Sequence, residues 1–137
     1  MRVFLDANIL FSAAKSDGAV RELLRRLDGG GHRLVADAFV LAEARRNLEA
    51  KGAASLSALD ALQQRLESAG LVRAFDLNSP MLAWLPEKDR PVLAAAIALA
   101  CDVLLTGDRR HFGSQFGRSV GGVRILEPAA LARELLG

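Results

Sequence analysis

The sequence predicts an α/β fold in which helices cover both faces of a central parallel sheet, and three observations support this. Short apolar runs recur along the chain, and segments with helical spacing of leucine or alanine separate them. The runs are continuous rather than alternating, which is typical of strands buried on both faces. Strands that alternate with helices usually form a parallel sheet. We therefore expect one three-layer α/β/α domain over residues 1–137, with about five strands.

Five segments are predicted as strands because each is a short apolar run bounded by charged or turn-forming residues. They are Val3–Leu5, Arg33–Ala36, Leu71–Phe75, Val103–Thr106 and Val123–Leu126. In open parallel sheets, ligands bind beyond the carboxyl ends of the strands, at the point where the strand order reverses. The residues immediately after the strands are therefore the first candidates for function.

Six helices are predicted from apolar spacing and from Pro or Gly at their ends. The first begins near Asp17 and ends at glycines 29–31, and the second covers Asp37–Ala50. The third follows Leu56, Leu59, Leu62 and Leu66 to a cap at Gly70, and the fourth begins at Ser79 and ends before Pro86. The fifth covers Asp89–Cys101, and the sixth begins at Pro128. The helix over Asp89–Cys101 is apolar on every side, so we expect it to be buried.

Hydropathy and cysteine content exclude several classes of protein. The longest stretch without a charge, Pro91–Cys101, has 11 residues, whereas a membrane span needs about 20 apolar residues. Asp6 interrupts the amino-terminal apolar run, which is unlike a secretory signal. The single cysteine, Cys101, allows no intrachain disulfide and is expected in the core. We expect a cytoplasmic protein that does not enter a membrane.

The basic residues leave the question of nucleic-acid binding open. Net charge is only +2, but just three of the 18 basic residues are Lys, and Arg presents forked donors that match phosphate geometry. A GC-rich genome would raise the Arg content without any function. Arg109, Arg110, Arg118 and Arg124 give the segment that begins at Asp108 a net charge of +3. This segment can surround a phosphodiester, or it can be a solvated basic loop.

Two carboxylates follow predicted strands in similar positions. Asp6 comes directly after the first strand, and Asp108 comes shortly after the fourth. If these strands are neighbours where the strand order reverses, both carboxylates lie in one crevice. An Asp after a strand also commonly caps the next helix or forms a turn, and Asp37 illustrates that ordinary role.

Two further acids allow both a functional and an ordinary interpretation. Asp89 begins the most apolar helix, where an N-cap is stabilising by about 1 kcal/mol and needs no other purpose. Glu43 lies on the flank of the apolar stripe of its helix, and Asn47 shares that flank. Glu43 can therefore lean over the edge of the sheet, or it can be a solvated side chain.

If these acids converge, their charges favour a bound metal ion. Two carboxylates about 4 Å apart repel by roughly 4 kcal/mol at an effective dielectric constant of 20, so a cluster needs protons or a counter-charge. No Lys is adjacent in sequence to Asp6, Glu43 or Asp108. Sites with several carboxylates suit Mg²⁺ or Mn²⁺, and no Cys/His spacing supports zinc. A carboxylate-bound metal pair can promote in-line displacement at a phosphodiester.

Four short motifs occur in a characteristic order and spacing. They are Leu5–Asn8, Leu41–Glu43, Asp89–Ala96 and Leu105–Asp108. Each motif is weak alone, but together they resemble the PIN-domain ribonucleases, a family that includes the toxins of many prokaryotic toxin–antitoxin pairs. The resemblance extends over nearly the whole chain. It implies a PIN-like fold in which the first and fourth strands are neighbours.

The resemblance implies a ribonuclease that cleaves single-stranded RNA with Mg²⁺ or Mn²⁺. The site residues that it implies are the metal-binding and catalytic acids Asp6, Glu43, Asp89 and Asp108, with Asn8 and Thr106 in support. Arg109 and Arg110 are added as candidate RNA contacts because they follow the last acid. A cognate antitoxin protein and a homodimer are the expected partners.

Other enzymes with an Asp after a strand fit the sequence less well. A haloacid-dehalogenase-type phosphatase needs a second Asp where this chain has Asn8, and a receiver-type phosphoacceptor needs a late Lys, whereas no Lys follows Lys88. Two alternatives stay open. One is a PIN-domain RNA-processing nuclease without a toxin role, and the other is a PIN-like module that binds RNA or protein without cutting it.

Overall fold

A six-stranded, mostly parallel sheet lies at the centre of the fold in the computed structural model, which describes residues 1–71 and 76–136. The strands are β1 (Arg2–Leu5), β2 (Arg33–Asp37), β3 (Glu67–Ala69), β4 (Val103–Leu105), β5 (Ser119–Val120) and β6 (Val123–Leu126). Their spatial order is β3-β2-β1-β4-β6-β5, and only β5 runs antiparallel to its neighbour. The predicted α/β class is confirmed.

The strand order reverses between β1 and β4. From β1 the chain extends the sheet through β2 to β3, and it then returns to place β4 on the other side of β1. The two strands pair in parallel, with Leu5 opposite Leu105. Residues 3–5 and 103–105 are all buried, as expected for strands covered on both faces. Side chains that follow β1 and β4 therefore meet at one edge of the sheet.

Helices cover the sheet in a three-layer α/β/α arrangement. They are α1 (Ala7–Lys15), α2 (Ala19–Gly29), α3 (Ala38–Lys51), α4 (Leu56–Gln63), α5 (Arg90–Ala98), α6 (Arg109–Phe112) and α7 (Pro128–Leu136). Short 3₁₀ turns are Ala53–Ser55, Pro80–Leu82, Glu87–Asp89 and Gly113–Gln115. None of the helices in the described ranges is long and apolar enough to cross a membrane.

The ends of α3 and α5 follow from local chemistry. Asp37 caps α3, because its Oδ1 accepts a hydrogen bond of 3.1 Å from the backbone N–H of Val40. The α5 helix is buried from Val92 to Ala96, as predicted, although Ala98 is exposed. It ends at Ala98 rather than at Cys101, because Ala100 adopts the left-handed conformation (φ 55°) and turns the chain towards β4.

The third strand differs from the prediction. The α4 helix ends at Gln63 instead of continuing to Gly70, and β3 begins at Glu67. Of the predicted strand Leu71–Phe75, residues 72–75 lie outside the described residues. The cause is long-range: β3 pairs with β2, and the Arg2 guanidinium binds both carboxylate oxygens of Glu67 at 3.0 and 2.7 Å. Leucine spacing carries no information about such contacts.

The prediction also omitted elements that the structure contains. The α1 helix was not predicted, although Ile9, Leu10 and Ala13 have helical spacing and are buried. The predicted helix between Ser79 and Pro86 is only a 3₁₀ turn, Pro80–Leu82. A further edge strand, β5, forms a hairpin with β6, and its two-residue turn is Gly121-Gly122 with φ of 57° and 84°.

Candidate active site

Asp6 lies at the carboxyl end of β1 and caps α1. Its side chain is almost completely buried. One carboxylate oxygen, Oδ1, accepts a hydrogen bond from the backbone N–H of Ala7 at 2.8 Å. The other oxygen, Oδ2, accepts from Thr106 Oγ1 at 2.7 Å and from Asn8 Nδ2 at 3.0 Å. Three donors thus fix the carboxylate in one orientation.

Burial raises the pKa of Asp6 to about 6. The hydrogen bonds from Thr106, Ala7 and Asn8 act in the opposite direction, because they favour the charged form. The negative charge of Glu43 raises the pKa of Asp6 further. The charged form of Asp6 is therefore disfavoured at this position, and a nearby cation would stabilise it.

Thr106 and Asn8 connect the end of β4 with the start of α1. Thr106 is completely buried, and its Oγ1 both donates to Asp6 and accepts from the backbone N–H of Asp108 at 3.1 Å. Asn8 Oδ1 accepts from the backbone N–H of Gly107 at 2.8 Å. This network couples the loop that carries Asp108 to the carboxylate of Asp6.

Asp108 lies two residues beyond Thr106 and caps the short helix α6. Its Oδ1 accepts from the backbone N–H of His111 at 3.1 Å, and its Oδ2 lies 2.8 Å from Nδ1 of the His111 ring. The Asp108 side chain is 23% exposed, so the cluster is open to solvent on one side. The same helical turn thus positions a carboxylate and an imidazole against each other.

Asp89 approaches this pair from the amino-terminal end of α5. Its Oδ2 lies 3.1 Å from His111 Nδ1, yet this buried oxygen forms no hydrogen bond with any described residue. Burial raises the pKa of Asp89, which the neighbouring His111 opposes and the charge of Asp108 reinforces. Its backbone is the N-cap of α5, but the side chain makes no cap hydrogen bond. The ordinary capping role therefore does not account for the Asp89 carboxylate.

The predicted acids are only partly in one group. Asp89, Asp108 and His111 offer ligand atoms that all lie within 4.8 Å of one another. Asp6 and Glu43 lie outside that group. Asp6 is linked to it through Thr106, which also accepts from the Asp108 backbone, and Glu43 interacts electrostatically with Asp6. Glu43 is half-buried on α3.

The donor chemistry fits a divalent cation. Burying an oxygen without a hydrogen bond costs about 1–3 kcal/mol, and Asp89 Oδ2 is such an atom. Carboxylate oxygens are the ligands that Mg²⁺ and Mn²⁺ prefer. Asp89 and Asp108 would hold an ion directly, with Asp6 and Glu43 adding negative charge nearby.

The two candidate RNA contacts lie at the solvent edge of the site. Arg109 is 77% exposed on its side chain and pairs with Glu127 at 3.0 Å. Arg110 is also exposed. An open depression of about 410 Å³, lined partly by Asn8, Ser12 and Asp108, lies beside the same edge. The site thus has room for a substrate larger than an ion.

The sequence interpretation missed His111. It lies three residues after Asp108, and residues three apart lie on the same side of a helix. That spacing carries a signal only if α6 is recognised as a helix, and at four residues it is too short to show a periodic pattern.

Comparison with known proteins agrees with this architecture. The family model described as the PIN domain matches residues 2–110, and the chain belongs to that family. VapBC2 from Rickettsia felis, bound to a promoter DNA fragment, is similar in structure, with a TM-score of 0.64, 18% identity and coverage of 93% of this chain and 98% of that chain. A search of curated proteins finds no significant sequence match.

Two further solved structures share the fold. VapC20 from Mycobacterium tuberculosis, described as a toxin that cleaves the sarcin–ricin loop, has a TM-score of 0.60 and 14% identity over 86% of this chain and 98% of that one. VapBC-1 from nontypeable Haemophilus influenzae has a TM-score of 0.62 and 17% identity over 94% of this chain and 99% of that one. At these identities the likeness establishes the fold alone.

Proposed function

We propose that residues 1–137 form one nuclease domain that hydrolyses phosphodiester bonds of single-stranded RNA with Mg²⁺ or Mn²⁺. Membership of the PIN family supports a nuclease. The observation that carries the proposal is the convergence of Asp89, Asp108 and His111, in which a buried carboxylate oxygen has no hydrogen-bond partner among the described residues. Buried carboxylate oxygens normally accept hydrogen bonds, and an oxygen that accepts none is explained if it binds an ion.

The four acids contribute to ion binding in two ways. In this proposal Asp89 and Asp108 bind it, and Asp6 and Glu43 complete the negative site. When bound, the ion supplies positive charge that stabilises displacement at phosphorus.

Asn8 and Thr106 position the acids rather than react. Thr106 holds Asp6 and the Asp108 backbone at the same time, so it fixes the spacing between the ends of β1 and β4. Arg109 and Arg110 contact RNA phosphates at the exposed edge, because forked guanidinium donors match phosphate oxygens. Single-stranded RNA suits a shallow, open site because its backbone can bend to reach it.

The catalytic proposal is tested with a purified chain and a fluorogenic single-stranded RNA. We expect cleavage in Mn²⁺, none in excess EDTA, and a loss of about 100-fold or more for Asp6→Asn, the scale of removing one element of electrostatic stabilisation. Glu49→Gln, an exposed substitution on α3, is the matched control and should cleave normally. Cleavage that survives both EDTA and Asp6→Asn would refute the proposal.

We further propose that the enzyme is the toxin of a toxin–antitoxin pair, acting in the cytoplasm as a homodimer. Structurally similar proteins include those named VapBC2 and VapBC-1, and the single buried cysteine suits a reducing compartment. Expression should arrest growth, and a small protein encoded next to the gene should rescue it. Active enzyme without arrest would favour the RNA-processing alternative, and a protein that binds neither Mg²⁺ nor Mn²⁺ would favour the binding module. Sedimentation equilibrium tests the dimer.

A further inference from the structure

We propose that His111 is a direct metal ligand through Nδ1, and that this nitrogen makes the site prefer Mn²⁺ to Mg²⁺. The inference rests on the proposed function, because it concerns the ion that the acids hold. It starts from the position of the ring: Nδ1 lies 2.8 Å from Asp108 Oδ2 and 3.1 Å from Asp89 Oδ2.

These two distances match the spacing of ligands around a small divalent ion. Ligand atoms on adjacent corners of an octahedron with bonds of about 2.1 Å are about 3.0 Å apart. His111 Nδ1 is at that distance from an oxygen of each acid, and all three atoms lie within 4.8 Å of one another. One ion can therefore contact the imidazole and both carboxylates with little rearrangement.

The hydrogen bonds around the ring agree with this role. Without an ion, a proton on Nδ1 is donated to Asp108, and Asp89 Oδ2 accepts no hydrogen bond. With an ion bound, the neutral ring carries its proton on Nε2 and offers the lone pair of Nδ1. The backbone N–H of His111 donates to Asp108 Oδ1, which keeps the His111 backbone beside Asp108 whichever contact the ring makes.

The ligand set determines which ion is favoured. Mg²⁺ selects oxygen ligands and keeps its water shell. Imidazole nitrogen is a softer donor, and nitrogen-containing sites bind first-row transition ions in preference. A site of two carboxylates and one imidazole is therefore expected to hold Mn²⁺ more tightly than Mg²⁺.

The test measures metal binding without RNA, in wild type and in His111→Asn. The Asn side chain places an oxygen close to the position of Nδ1, so it keeps the shape and removes the nitrogen. We expect the Mn²⁺ Kd to rise about 10-fold or more, because even the loss of a residue that only hydrogen-bonds to a metal ligand weakens metal binding by that factor. The Mg²⁺ Kd should change by less than about 3-fold, because oxygen suits that ion.

Pulsed EPR of bound Mn²⁺ gives a second readout. Wild type should show a nitrogen hyperfine coupling that His111→Asn removes. The chain has only two histidines, and His32 contacts the amino terminus at the opposite end of the sheet, so His32→Asn should keep the coupling. His111→Gln serves as a second variant if His111→Asn does not fold.

The outcomes separate this inference from the proposed function. Nitrogen coupling that is lost only in the His111 variants, with a lowered preference for Mn²⁺, supports it. Wild type that binds Mn²⁺ without nitrogen coupling, or variants in which both affinities fall equally, would overturn the inference and leave the acid site intact. Wild type that binds neither ion would overturn both.

Discussion

Replacing Asp6 with Asn should change the pH dependence of stability in a direction that the burial of Asp6 determines. The pKa of Asp6 is raised to about 6, so the folded chain holds this proton more tightly than the unfolded chain does. The stability associated with the proton is present in acid and is lost as pH rises through 6. Charging this buried carboxylate therefore makes the metal-free protein less stable at neutral pH.

The magnitude follows from the difference between about 6 in the folded state and about 3.9 in the unfolded state. At 1.36 kcal/mol per tenfold change in proton affinity, the cost is about 3 kcal/mol at pH 7.5 and about 1 kcal/mol at pH 4.5. Asp6→Asn avoids this cost and keeps an Oδ1 for the Ala7 N–H, because Asn caps a helix as well as Asp does. Its amide nitrogen cannot accept the hydrogen bonds that Oδ2 accepts from Thr106 and Asn8, which costs about 1 kcal/mol. The variant should thus match wild type at pH 4.5 and exceed it by about 2 kcal/mol at pH 7.5.

Urea denaturation in EDTA at the two pH values measures this difference. Glu49→Gln, exposed on α3, should differ from wild type by the same small amount at both. Mn²⁺ should reduce or reverse this difference at pH 7.5, because loss of the Asp6 charge weakens binding to the folded variant, so the ion stabilises wild type more by mass action. A difference between Asp6→Asn and wild type that does not change with pH would refute the reasoning about the buried carboxylate.

Four further substitutions test contacts of the site and of the β5–β6 turn. Thr106→Val keeps a similar shape but removes a buried hydroxyl, so it should lower the free energy of unfolding in urea by about 1–3 kcal/mol and raise the pKa of Asp6. An unchanged pKa of Asp6 would contradict the hydrogen bond from Thr106 to that carboxylate. Glu43→Gln should lower the pKa of Asp6 in a carboxyl NMR titration, since its charge raises that pKa. Gly121→Ala and Gly122→Ala should each cost about 1 kcal/mol in thermal melts because both have positive φ. Gly121→Ala should cost more, because a Cβ there would lie 2.7 Å from the Ile97 side chain, which would have to shift. Equal costs would argue against that clash.

The fold class and the main acids could be predicted because both depend on local patterns. Continuous apolar runs identify buried parallel strands, and Asp6 and Asp108 were found because they follow two of them. The pairing of those strands then brings the two loops together, as the family resemblance implied. The position of Asp37 between a strand and a helix also predicts its role as a helix cap.

Other features depend on contacts between distant residues, and local patterns do not show them. The third strand is positioned by β2 and by the ion pair between Arg2 and Glu67, which are 65 residues apart. The apposition of Asp89 and His111 requires the start of α5 to meet α6, which follows β4. From sequence alone, Asp89 is equally well explained as a helix cap.

Single-stranded RNA cleavage in Mn²⁺ by Asp108→Asn, compared with Glu49→Gln under identical conditions, tests the central claim most directly. Asp108 makes the contact with His111 and lies within reach of Asp89, so the claim predicts a loss of about 100-fold or more for Asp108→Asn. Glu49→Gln should retain the wild-type rate. Equal rates for the two folded variants would contradict the claim that these acids form a metal-dependent ribonuclease site.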